Sequence, residues 1–142
     1  MSALTSRWTH FEHRADMGVE GLGATPAEAF EQAALALTAI VCDLEAIRPS
    51  ERVTFSCKEP NLELLLVDWL NALVYEMATR RMLFVRFGVH LTESGLEAEA
   101  WGEPVDSARH HPVVEVKGAT YTALTVQQLP DGGWLARCVV DV

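Results

Sequence analysis

The chain reads as an α+β domain, with antiparallel sheet strands and two helices packed on one sheet face. Two observations predict this. Two segments place apolar residues at helical spacing behind strong helix-start signals, and most of the remainder alternates apolar and polar residues between turn formers. With 142 residues, 49% hydrophobic and 22% charged, the composition is that of one globular domain, residues 1–142.

Taken in order, residues 8–11 and 19–22 look extended. The first helix begins at Thr25, a hydroxyl cap, with Pro26 in the first helical position and Glu28 completing a capping box. Phe30, Ala33, Ala34, Leu37, Ile40 and Val41 then share one face, and the helix fades near Asp43, ahead of Arg48 and Pro49. Residues 53–57 form a strand. Asn61, just after Pro60, caps the second helix, which runs to about Thr79. Leu65, Leu66, Trp69, Leu70, Leu73 and Met77 give it a wide apolar stripe and make it the centre of the domain. Asp68, Asn71 and Glu76 avoid the stripe and form a solvated face, or a partner contact.

Leu83, Val85, Phe87, Val89 and Leu91 occupy alternate positions of a strand, which turns at Glu93, Ser94 and Gly95 into another over residues 96–101. Residues 102–112, with a glycine and two prolines, form a loop. Strands follow at 113–117, 124–129 and 134–140, the last two joined by a turn at Pro130, Asp131, Gly132 and Gly133.

The formal net charge is −9, and 11 Lys and Arg residues form no basic stripe. Tight, direct binding of RNA or DNA needs phosphate neutralisation and is not expected. Acidity suits a cation site or a basic surface on a protein partner. No apolar run approaches the ~20 residues of a membrane span, and the first residues lack a signal-peptide core, so a cytoplasmic protein is expected. Cys42, Cys57 and Cys138 match no metal or redox spacing and read as reduced thiols in or near the core.

Three constellations carry chemistry. The first packs His10, Glu12, His13, Arg14 and Asp16 just before Gly18. In an extended segment His10 and His13 point to opposite faces, so they chelate poorly without a bend. Residues 15–18 look like such a bend, in which Asp16 either offers a carboxylate to a hard cation or caps its own turn. The second is the last strand running into Asp141 and Val142. If Val139, Val140 and Val142 pin it, the Asp141 carboxylate and the α-carboxylate lie close together, and two such anions repel unless a cation joins them. Oxygen ligands of this kind suit Ca²⁺, Mg²⁺ or Mn²⁺; an ordinary solvated acidic end is the alternative. The third is the loop with Asp106, Arg109, His110 and His111, leading to Glu115, Lys117 and Tyr121. The adjacent histidines offer metal ligands without a third partner; Lys117 and Tyr121 suit either a phosphate contact or protection of a strand edge. No nucleotide-binding, hydrolase, zinc-protease or EF-hand spacing is present, so catalysis by this chain alone has little support.

Together these segments resemble the archease family over nearly the whole chain. Trp8-Thr-His-Phe-Glu-His-Arg-Ala-Asp-Met-Gly18 is similar to that family's opening motif. Glu28-Ala-Phe-Glu-Gln-Ala-Ala-Leu-Ala-Leu37 and Leu64-Leu-Leu-Val-Asp-Trp-Leu-Asn71 resemble its helices. Gly102-Glu-Pro-Val-Asp106, Arg109-His110 and Glu115-Val-Lys-Gly-Ala-Thr-Tyr121 resemble its loop and following strand, and Val-Val-Asp141-Val142 its terminus.

The resemblance implies a strand–helix–strand–strand core with an inserted β-rich region. It also implies a metal-binding cofactor protein, not itself an enzyme, that activates RtcB-type RNA ligases in tRNA splicing and RNA repair. Such proteins promote guanylylation of the ligase's histidine from GTP and allow multiple turnover. The implied metal ligands are Asp16, Asp141 and the terminal Val142; His13 and Lys117 lie in matched motifs as auxiliary polar groups. Two residues depart from the family pattern: Arg14, where a small or hydroxyl residue is common, and Thr122, where a histidine is common. The alternative is a general chaperone or interaction module whose cation is structural.

Overall fold

The structure, a computed structural model, describes residues 5–142. The expectation about a signal segment falls partly on residues 1–4, outside the described residues. The described chain has two antiparallel sheets, two long helices and one short one. Its elements are β1 (Arg7–His13), β2 (Asp16–Gly23), α1 (Pro26–Val41), β3 (Glu51–Lys58), α2 (Leu62–Arg80), β4 (Met82–Thr92), β5 (Gly95–Pro104), α3 (Ser107–His110), β6 (Gly118–Ala119), β7 (Thr125–Gln128) and β8 (Trp134–Asp141). The first sheet is ordered β1-β2-β8-β6, with β7 also paired to β8; the second is β3-β5-β4.

Both helix starts form as their residues dictate. Thr25 Oγ1 accepts the Glu28 N–H at 3.1 Å, and Asn61 Oδ1 accepts the Leu64 N–H at 3.0 Å. The capping box is shifted by one residue: Glu28 Oε1 accepts from the Ala24 N–H at 3.2 Å, and from Ser6. Each long helix touches both sheets, so together they form a layer between them. This is why α1 has no exposed residue between Ala27 and Cys42. Trp69 of α2 is fully buried. Its indole N–H donates to the Phe30 carbonyl at 3.1 Å, and its ring meets Phe55 and Phe87 edge-on.

α1 lies against β2 at a closeness set by glycine. A methyl group at Gly21 would fall 2.1 Å from the Ala29 carbonyl oxygen, so the helix seats only where no side chain stands. The side of the sheet touching α1 carries Val19, Gly21, Ala136, Cys138 and Val140; Gly18, Glu20, Arg137 and Val139 face the other way.

Three expectations are corrected. The strict alternation from Leu83 to Leu91 is broken by a bulge between Phe84 and Arg86, which turns Phe84 fully into the core. Residues 102–112 are not one loop, since β5 extends through Pro104 and α3 makes a helical turn. Residues 113–117 form no strand; only Gly118–Ala119 pair, with β8.

Candidate functional site

The β1–β2 hairpin turns at Arg14 and Ala15, with Arg14 in the left-handed region at φ 58°. The bend is therefore earlier than residues 15–18, and Asp16 opens β2, paired with His13 across the hairpin. β2 and β8 pair down to Met17 and Val140, and one further step of that register sets Asp16 opposite Asp141. Asp141 in turn pairs with Gly118 of β6. His13, Asp16, Asp141 and Gly118 thus form one row across four strands. Directly opposed residues point to the same face with Cβ atoms roughly 4.5–5.5 Å apart. Alternation from Gly18 and Val139 places this row on the face away from α1.

His13 and Asp16 are half-buried, and Asp141 is exposed. Val142 packs on the core, and the Lys117 N–H donates to the Asp141 carbonyl at 2.8 Å, so the last strand is held on both sides. The Lys117 side chain is exposed. His10 lies on the opposite face, as its spacing from His13 requires. Its Nε2 sits 2.7 Å from the Ala36 carbonyl, and since a carbonyl only accepts, that nitrogen carries the proton.

Two carboxylates opposed on neighbouring strands repel, typically by ~0.2–1 kcal/mol, unless a cation lies between them. Their donors are oxygen only, which fits a hard divalent ion. Among the described residues no three His, Cys, Asp or Glu side chains are grouped to hold a metal. Asp16 and Asp141 therefore cannot enclose an ion. A cation there would draw further ligands from water or from a partner.

The Arg109 and His110 part of the third constellation proves structural. Glu103 is buried, and its carboxylate takes two hydrogen bonds from the Arg109 guanidinium at 2.7 and 2.9 Å, and one from the Arg48 N–H at 2.7 Å. The Arg109 bonds, with that from Arg48, hold the Glu103 carboxyl down at about 2. The Asp106 N–H donates to His110 Nδ1 at 2.8 Å, so Nε2 keeps the proton and donates to Glu103 at 3.0 Å. His110 is buried and committed, while His111 is exposed in the left-handed region at φ 47°. The adjacent histidines are thus no ligand pair, because one holds the loop and the other faces solvent.

Sequence reasoning missed two anchors. One is Glu103, signalled only by its spacing to Arg109 and His110. The other is Asn71: its Oδ1 accepts the Ala119 N–H at 2.8 Å and ties β6 to α2, which its polar position on the helix could not reveal. The thiols are free, as expected; burial pushes Cys138 up to about 12.

Residues 8–142 match the family model described as Archease protein family (MTH1598/TM1083). The Protein archease of Thermococcus gammatolerans is 40% identical over 140 residues, covering 96% of this chain and 99% of that protein. The Protein archease of Methanosarcina barkeri is 33% identical over 147 residues, covering both fully. Among solved structures, protein 1598 of Methanobacterium thermoautotrophicum superposes with a TM-score of 0.81 at 26% identity over both whole chains. A Thermotoga maritima protein described as an archease, possible chaperone, shares the fold with a TM-score of 0.59 at 18% identity, over 93% of this chain and 94% of that one. By sequence match along its length and by fold, the chain belongs to the archease family.

Proposed function

We propose that this protein is a metal-binding activator of an RtcB-type RNA ligase, acting in the cytoplasm on its partner's reaction with GTP and performing no ligation itself. The observation that carries the reading is the register of β2 on β8, which sets Asp16 beside Asp141 at the end of the sheet. A bound Ca²⁺, Mg²⁺ or Mn²⁺ would supply concentrated positive charge at a nucleotide-accepting site. Asp16, Asp141 and the Val142 carboxylate hold the cation at the rim rather than in a cage, leaving coordination positions open to a partner. His13, beside Asp16, and Lys117, beside Asp141, flank it as polar groups for that partner. Differential binding to the ligase form that accepts GTP shifts its population toward guanylylation. The ligase supplies the RNA-binding surface, so direct tight binding of RNA by this acidic chain is not required.

The test is GTP-dependent labelling of an RtcB-type ligase with substoichiometric protein. Acceleration is expected, and Asp16→Ala and Asp141→Ala should abolish it while thermal unfolding stays close to wild type. Normal stimulation by both variants would remove the site assignment, and no stimulation by the wild type would remove the activator reading. The second reading, a general chaperone or interaction module with a structural cation, draws on exposed Tyr75, Val113 and Tyr121. It requires instead that the protein suppress aggregation of unrelated clients.

A further inference from the structure

Residues 113–117, Val-Val-Glu-Val-Lys, have the β-branched composition of a strand, yet no strand pairs with them. The Val113 N–H is bonded to the Val41 carbonyl at 2.9 Å, and the Lys117 N–H to Asp141 at 2.8 Å. Between these bonds the N–H groups of Val114, Glu115 and Val116 have no hydrogen-bond partner among the described residues. Val113 is 75% exposed and Val114 40%. Behind them runs a groove of about 400 Å³ whose apolar wall includes Val74, Met77, Met82 and Leu83. Val113 and Lys117 occupy the inner edge, so the N–H groups of Val114 and Val116 share the other one. Unpaired donors on one edge beside an apolar groove are the two halves of a strand-addition site, in which main-chain bonds give affinity and the groove takes alternate side chains.

We infer that this segment and groove receive an extended apolar strand of the same ligase that meets the carboxylate end of the sheet. The inference rests on the partner reading above. Charge selects against a second copy of this chain. Each molecule carries −9, and a two-fold antiparallel pairing centred on the segment would oppose Glu115 to Glu115. The same charges favour a strand with basic flanks from a protein whose surface handles RNA. Continuity points the same way: Lys117 is bonded to Asp141, so the segment leads directly into the candidate site, and its four steps span at most roughly 13 Å. One protein docked at the carboxylates therefore lies within reach of the groove.

The experiment measures binding of the RtcB-type ligase encoded by the same organism, by calorimetry, to wild type and to Val113→Asp/Val114→Asp. Both positions are exposed, so the fold should hold; Val113→Ser/Val114→Ser serves if it does not. Binding is expected to weaken about tenfold or more, as for loss of buried apolar anchors. Calcium affinity should stay at the wild-type value. Ligase should also slow amide hydrogen exchange at Val114 and Val116, whose N–H groups share the outer edge, by at least about tenfold, as hydrogen-bonded strand pairing does. Unchanged affinity and unchanged exchange in a ligase that the wild type stimulates would overturn the groove assignment alone. A wild-type dimer in sedimentation that the double variant dissolves would overturn it in favour of self-pairing. Failure of the wild type to stimulate would strike the activator reading instead.

Discussion

Glu103 is a carboxylate that stability should report. Its folded value of about 2 lies below the ordinary 4.5, so its contribution is complete above the ordinary value. That contribution is lost as pH falls from about 4.5 toward about 2. Denaturant midpoints measured across this window should fall for the wild type, and Glu103→Gln, less stable at neutral pH, should show a smaller acid-dependent loss. None of this was legible in the chain. His110 and His111 drew attention because adjacent histidines suggest ligands, whereas burial and one backbone N–H decide that His110 is structural. Asp16 stood out in the chain as a carboxylate at a bend, suited either to a hard cation or to capping its own turn. What separates it from Glu12 is which face of β2 and which row it occupies, and that depends on pairing with residues far along the chain.

The helices were the most legible elements, because Thr25, Pro26 and Asn61 act locally and their caps need no tertiary partner. Strand bounds were less so. β1 and β2 are longer at the hairpin than alternation suggested, since strand partners extend them up to the turn. The sequence 113–117 has strand propensity, but propensity does not supply a neighbour. Glycine positions tie an element to its neighbour most tightly. At Gly21 an added methyl meets helix backbone, which cannot swing aside; at Gly18 it meets the Phe11 ring, a side chain that can rotate away. Gly21→Ala should therefore cost about 1–3 kcal/mol by overpacking, and more than Gly18→Ala. Thermal denaturation of the pair gives the comparison; equal losses would mean that α1 shifts as easily as a ring.

At the scale of the whole molecule, the fold class followed from pattern, while the arrangement of two sheets around a helix layer came from contacts that no local window contains. Charge is also a property of the whole. If the proposed ligase meets the −9 of this chain with a basic surface, their association rate should fall as ionic strength rises and the Debye length shrinks from about 10 Å at 0.1 M salt. Stopped-flow mixing across a salt series tests this, and a rate indifferent to salt would mean that long-range attraction does not guide docking.

The pairing of β8 with β2, β6 and β7 at once has a temporal side. Glu20 meets Arg137 at a separation of 117 positions, so β2 must wait for that distant strand before its inner edge is satisfied. Until that long loop closes, β1 and β2 are a lone hairpin with an open flank, dependent on α1 for shelter. Asp16 and Asp141 come to face each other only when β8 closes on β2, so the row they share is among the last features of this sheet to form.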